Sequence, residues 1–360
     1  MKKLLLILFC FSILQINGQT SRINFDSLAN ELISTTSIHS TVFSYITPDT
    51  CLYGISGINN INDRKKVRLT DKYHLGSNTK AITSLIAMKM IENGQLMLET
   101  KLLDVIPSLK KKIKKTYRKI TLGELLSHRA WVRPYTAGLE INSLPELKGN
   151  LIDHRAAFIE HVLNQEAVPS ETFTYSNAGY VIASHMLEVV AQKSYEDLVA
   201  DFMKEMGYGY CFGFANKQDA DAPAGHLMED EKWIVIGPDH EYKLPEFMNA
   251  CGNLSMNIMD YAQLIQMQLN GLNGDDTYIS STGMTTLHYG LEDYAYGWLH
   301  LTRGNKNIST HDGTISVFYC HTIIIPGIPG AFVFFINSAE QDHVTEMYEL
   351  RDYVVREMLK

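Results

Sequence analysis

The stretch Gly76-Ser77-Asn78-Thr79-Lys80-Ala81-Ile82-Thr83-Ser84-Leu85-Ile86-Ala87-Met88 decides how the rest of the chain is read. A serine opens a run that reads as a helix, and a lysine follows three residues on. Hydroxyl and amine therefore share one helical face, about one turn apart. The same spacing recurs at Ser108 and Lys111, and the surroundings separate the two pairs. A lysine serves as a base near neutral pH only where burial or a neighbouring cation favours the neutral amine. Lys80 leads into an apolar helix that can bury it. Lys111 follows Pro107 in a run of lysines with no such helix. Serine is also a favoured N-cap, so the first pair needs support from elsewhere in the chain.

Composition narrows the classes. At 360 residues and 45% hydrophobic, the chain can bury a large core. Its formal net charge is −8 and no basic cluster carries aromatics, which argues against nucleic acid as the main partner. The basic stretch Lys110 to Lys119 reads as a solvated helix end or loop. Residues 1–19 read as a secretory signal: Lys2 and Lys3 precede an apolar run from Leu4 to Leu14 that is too short to span a bilayer, and Gly18 offers a small residue for cleavage. A mature chain starting near Thr20 is expected, exported to the periplasm or secreted. No later stretch is long and apolar enough for a membrane span. Outside that leader stand Cys51, Cys211, Cys251 and Cys320, which allow three pairings, and free buried thiols are the expectation. None has metal-ligand spacing, and neither His-Glu-x-x-His, Cys-x-x-Cys nor Gly-x-Ser-x-Gly occurs, so neither metal nor cofactor is expected.

Periodicity predicts a helix over 24–35, then strands over 41–46 and 51–58 joined by Thr47-Pro48-Asp49-Thr50. Residues 59–72 read as loop. A buried helix over 81–91 stops at Asn93-Gly94. Thr121 and Glu124 read as a capping box. Residues 129–150 read as irregular, and helices follow over 156–163, 180–190, 195–206 and 254–269. Residues 216–245 read as an acidic loop. Strand-like runs cover 294–301, 316–325 and 331–337, and a helix over 345–359 closes the chain. Strands at both ends with helices between them predict an α+β fold. Its antiparallel sheet (about 20–90 and 285–360) comes from both ends, flanked by helices, with an inserted helical region over about 91–284.

Two further motifs stand behind Ser77-x-x-Lys80: Tyr175-Ser176-Asn177 and His311-Asp312-Gly313. Together the three resemble the serine β-lactamase and penicillin-binding protein superfamily, in its class C-like branch. Supporting stretches are Asn93 to Leu98, Ile120 to His128, Tyr175 to Tyr180 and Tyr296-Gly297-Trp298. The resemblance implies Ser77 as the nucleophile of an acyl-enzyme. Lys80 and Tyr175 are its two candidate proton acceptors, and Asn177 bonds the substrate amide or orients Lys80. The backbone N–H groups of Ser77 and Thr314 are its oxyanion hole, and Gly313 leaves room for substrate along the strand. His311 stands where β-lactamases and peptidoglycan carboxypeptidases usually carry a lysine that binds the substrate carboxylate. A protonated imidazole can still meet a carboxylate, but the change weakens the β-lactamase reading. His128-Arg129-Ala130-Trp131 replaces a usual threonine-serine-glycine, and Cys251-Gly252-Asn253 a glycine pair. His128, His185 and His226 read as structural. The expected function is an exported serine hydrolase acting on a small-molecule or short-peptide ester or amide. A β-lactamase or D,D-carboxypeptidase acting on cell-wall peptides is the alternative, as is a non-catalytic peptide- or peptidoglycan-binding descendant.

Overall fold

The computed structural model describes residues 23–136, 138–142, 144, 146–240, 243–327 and 329–359. The leader read over 1–19, with Cys10, lies outside them. The strands are β1 (Ser40–Ile46), β2 (Cys51–Gly57), β3 (Lys72–His74), β4 (Tyr210–Phe212), β5 (Gly225–Glu229) and β6 (Lys232–Ile236), followed by β7 (Leu254–Asn257), β8 (Asp293–Tyr294), β9 (Leu299–Arg303), β10 (Lys306–Thr314), β11 (Tyr319–Ile325) and β12 (Gly330–Ile336). Helices named below are α1 (Phe25–Thr35), α2 (Thr79–Glu92), α3 (Leu151–Leu163), α4 (Asn177–Ala191), α5 (Tyr195–Met206), α6 (Ile258–Leu272) and α7 (Gln341–Met358).

Both ends of the chain build one antiparallel sheet in the order β2-β1-β12-β11-β10-β9-β8. β12 is buried at every position, and the pleat divides its side chains between two cores. Phe332, Phe334 and Ile336 join Phe25 and Ala29 of α1 and Val344, Met347 and Val354 of α7 on one face. Ala331, Val333 and Phe335 join the large core on the other, with α2 and α6. The same alternation runs through β10 and β11. Asp312 pairs across to His321 on the α7 side, whereas Gly313 pairs to Cys320, which lies in the large core.

β3, β7 and β4 form a small second sheet, and β5 and β6 a hairpin. Two readings are corrected here. Residues 216–245 are not all loop, because the β5–β6 hairpin lies within them. Its two-residue turn, Asp230-Glu231, has both residues at positive φ, the geometry usually marked by Asn-Gly. The predicted helix over 254–269 begins as β7, and the helix proper, α6, starts after Asn257, whose side chain caps it. The run over 294–301 is likewise split into β8 and β9, with Gly297 at φ 86° between them. Lys110 to Lys119 forms short 3-10 turns with exposed lysines, and Ser108 and Lys111 are exposed. No helix among the described residues is long and apolar enough to cross a membrane. Cys51, Cys211, Cys251 and Cys320 are free.

Candidate active site

Ser77 lies in a one-turn 3-10 helix, Gly76–Asn78, that runs into α2. The turn is tied down on both sides. Asn78 is buried; its Nδ2 donates to Cys320 O (3.1 Å) on β11, and its Oδ1 accepts from Tyr261 Oη (3.2 Å) on α6. Gly76 has φ 52°, a left-handed conformation that glycine adopts without penalty. α2 itself is buried nearly all round, as expected of a helix apolar on every side. Lys80, with no exposed surface, is thereby sunk beneath Ser77.

The Lys80 amine has three oxygen neighbours: Ser77 Oγ at 3.1 Å, Asn177 Oδ1 at 2.7 Å and Cys251 O at 2.5 Å. Asn177 is the first residue of α4, and its Nδ2 donates to Tyr135 O (3.1 Å), which fixes Oδ1 toward the lysine. Among the described residues no carboxylate pairs with Lys80. Its other neighbours are ring faces, with Nζ 4.7 Å from the centroid of Tyr175 and 5.5 Å from that of Tyr180. Lys80 thus meets the face of Tyr175, and the Tyr175 hydroxyl hydrogen-bonds neither Ser77 nor Lys80 here.

β10 completes the site, and it corrects another reading. His311-Asp312-Gly313 reads in sequence as the approach to a strand over 316–325. It lies inside β10, whose pairing with β9 ends at Thr310, so His311 to Thr314 have no partner strand on that side. A Cβ on Gly313 would stand 2.8 Å from Ser77 N and collide with Leu75 O, and a Cβ on Gly76 would collide with Thr314 N. Two side-chain-free residues therefore let the amides of Ser77 and Thr314 come together.

His311 is buried, and both ring nitrogens are engaged. Nδ1 is 2.7 Å from Asp312 O, and a carbonyl can only accept, so Nδ1 carries the proton. Nε2 then accepts from Tyr294 Oη at 3.0 Å. Burial, with Lys80 nearby, lowers its pKa to about 4. The imidazole is thus neutral at neutral pH in the unliganded site. His128 is likewise held well below its usual range, first by burial and then by Lys80.

The structure brings Ser77, Lys80, Asn177, Gly313 and Thr314 together, with Tyr175 and His311 on the aromatic side. Sequence reasoning missed the carbonyl of Cys251 and the hydroxyl of Tyr294. A backbone carbonyl has no residue signature, and Tyr294 reads only as a strand aromatic. Among the described residues no group of three or more His, Cys, Asp or Glu could hold a metal.

A family profile described as Beta-lactamase matches residues 27–355. The chain belongs to the beta-lactamase family. Its relatives are distant. Protein flp of Staphylococcus aureus (strain MW2) is 23% identical over 276 residues, 75% of this chain and 53% of that protein. Penicillin-binding protein 4 of Amycolatopsis lactamdurans is 28% identical over 132 residues, 36% of this chain and 32% of that protein. The chain spans about half the length of Protein flp. Among solved structures, the octameric penicillin-binding protein homologue from Pyrococcus abyssi superposes with TM-score 0.73 at 20% identity, covering 92% of this chain and 76% of that one. The class C beta lactamase from Rhodobacter sphaeroides gives TM-score 0.73 at 15% identity over 91% and 98% of the two chains. SurE gives 0.72 at 19% identity over 93% and 75%. At these identities the likeness shows the fold: the antiparallel sheet flanked by helices that serine β-lactamases and penicillin-binding proteins share.

Proposed function

We propose that this protein is a serine hydrolase that cleaves an ester or a short-peptide amide through an acyl-enzyme on Ser77, with Lys80 as the base. The observation that carries the reading is the bonding of the Lys80 amine. A neutral amine has two hydrogens and one lone pair. In that form Asn177 Oδ1 and Cys251 O, which can only accept, take both hydrogens and the lone pair is left facing Ser77 Oγ 3.1 Å away, whereas the ammonium form donates to all three oxygens.

As the Ser77 proton passes to Lys80, Oγ bonds the substrate carbonyl carbon, and the carbonyl electrons move onto oxygen between the amides of Ser77 and Thr314. One such donor is typically worth about 2.7–4 kcal/mol in the transition state. Collapse breaks the bond to the leaving group, which takes the proton back from Lys80. A water molecule then repeats the sequence against the acyl-enzyme. Tyr175 acts through its ring face, which walls the amine from water; its hydroxyl is a relay only if it reorients on substrate binding. A neutral His311 supports esters and neutral amides over substrates that must anchor a carboxylate at that strand. The leader read over 1–19 supports export.

Ser77→Ala should abolish turnover of p-nitrophenyl esters in a protein of unchanged melting temperature. A fluorophosphonate should label Ser77 alone, as read by peptide mass, and fail on Lys80→Ala. D-amino-acid peptides belong in the same screen, because a structure of SurE "with D-Leu" is among the neighbours. Undiminished hydrolysis by Ser77→Ala would sink the mechanism. A folded wild-type protein that takes no label would move the weight to a binding role.

A further inference from the structure

The loop between the Thr121 capping box and α3 carries three non-glycine residues at positive φ within eight positions: His128 (60°), Trp131 (54°) and Tyr135 (50°). A left-handed backbone costs an L-residue roughly 1–2 kcal/mol, and such strain persists only where the surroundings enforce it. Trp131 stands where the resemblance places a glycine, the residue for which that conformation costs nothing.

What this loop bonds to is consistent along its length. Trp131 O accepts from Val168 N (2.9 Å) and His128 O from Thr174 N (2.9 Å). His128 Nδ1 accepts from Ser176 N (3.1 Å), and Arg133 O from Ser176 Oγ (2.7 Å). Pro134 O accepts from Asn177 N (2.8 Å), and Tyr135 O from Asn177 Nδ2 (3.1 Å). Acceptors from 128 to 135 thus hold Val168 and then every residue from Thr174 to Asn177 except Tyr175. Tyr175 is held by the ring of His128, whose centroid is 4.2 Å from its own. His128 therefore accepts from the backbone N–H of the residue on each side of Tyr175 and packs its ring against Tyr175 at a 44° tilt. Because its Nδ1 accepts, the proton sits on Nε2, which is buried and has no partner among the described residues. A buried histidine that forgoes a hydrogen bond at one nitrogen to keep this orientation at the other is not explained by packing alone.

We infer that residues 128–135 form a strained frame that places the Tyr175-Ser176-Asn177 motif over Lys80, and that His128 is its positioning residue. The inference rests on the reading of Lys80, Tyr175 and Asn177 given above. His128 acts through the motif and does not touch the reacting atoms.

The test is a double-mutant cycle on the full chain. His128→Phe keeps a ring and removes the acceptor; His128→Asn tolerates positive φ and keeps an acceptor near Nδ1. With a p-nitrophenyl ester, His128→Phe should lower kcat roughly 10–100-fold, the size of effect expected of an ångström-scale misplacement, with KM changed little. His128→Asn should recover most of that loss. In a Tyr175→Ala, Asn177→Ala background, His128→Phe should cost less than about twofold. Hydrogen exchange of the peptide spanning 174–177 should speed up in His128→Phe and not in His128→Asn. An equal loss from His128→Phe in both backgrounds, or exchange at 174–177 unchanged from wild type, would overturn the inference. If the wild-type chain turns over no ester, the reading of Ser77 has failed, and the exchange comparison still decides the frame: faster exchange at 174–177 in His128→Phe supports it and wild-type exchange refutes it.

Discussion

Gly313→Ala tests the geometry of the site with a single methyl group. A Cβ at this position would stand 2.8 Å from Ser77 N and 2.9 Å from Asn78 Nδ2, where ordinary contact begins at 3.4 Å, and it would collide with Leu75 O. Relief requires the 75–78 turn and β10 to part by at least about 0.6 Å at the Ser77 amide and by more at the Leu75 carbonyl. Neither side yields easily. The turn is anchored by Asn78 to β11 and α6, and β10 is paired to β11 from Ser309 to Thr314. Overpacking of this kind costs typically 1–3 kcal/mol of stability. The motion separates the two amides assigned to the oxyanion, and losing one such donor lowers kcat by about 10²–10³-fold. The expected outcome is therefore a folded protein with a modestly lowered melting temperature and kcat down by at least about 100-fold. Gly237→Ala is the control, because a Cβ there meets nothing within 4 Å. Melting by fluorimetry and steady-state hydrolysis of a p-nitrophenyl ester read both quantities. Wild-type kcat in Gly313→Ala would refute the placement of the oxyanion site between Ser77 and Thr314.

Asn177→Asp places a carboxylate where an amide oxygen stands 2.7 Å from Lys80; it pairs with the ammonium form and takes the base away. The kcat for a p-nitrophenyl ester should fall, and a wild-type kcat would count against Lys80 as base. Glu188 is buried, 2.5 Å from the fully buried Arg155, and also accepts from His185 and Tyr195 N. Glu188→Ala leaves Arg155 with Glu196 as its remaining carboxylate (3.1 and 2.8 Å) and leaves His185 and Tyr195 N without their acceptor; it should cost about 1–3 kcal/mol, and an unchanged urea midpoint would contradict this. Burial lowers the pKa of His74 and of His311 to about 4. Both are neutral in the fold and take up protons near pH 6.5 when unfolded, so stability is fully present above 6.5 and is lost as pH falls to about 4. Each contributes on the order of 3 kcal/mol, and a melting temperature flat between pH 7 and pH 4.5 would be inconsistent with it.

Much of this was legible in the sequence, for physical reasons. The burial of β12 shows as an unbroken apolar run and that of α2 as apolar residues spread over every face, and Thr121 and Glu124 do form the capping box they spell. The Ser77–Lys80 spacing needs only helix geometry to bring the two groups to 3.1 Å. β10 was missed because its residues, Lys-Asn-Ile-Ser-Thr-His-Asp-Gly-Thr, are polar enough to read as a turn; pairing with β11 on one side compensates for low propensity. The β5–β6 hairpin was missed because its turn takes positive φ without glycine. His128 reads as structural because its role is set by the amides of Thr174 and Ser176, almost fifty residues away, and amides leave no mark on composition.

The sheet has a consequence in time. Ser40 N bonds the Asn337 side chain across a separation of 297 residues, and β1, though it pairs locally with β2, finds its second neighbour only when β12 exists. Contacts of such range are slow to form, and a chain emerging from its N-terminus cannot make them early. Thr314, which completes the proposed oxyanion site, is synthesised 234 residues after Lys80 (314 − 80). A nascent or unfolded chain therefore holds a serine and a lysine without the means to stabilise a tetrahedral intermediate. Hydrolysis should begin as the last event of folding, in whichever compartment that takes place.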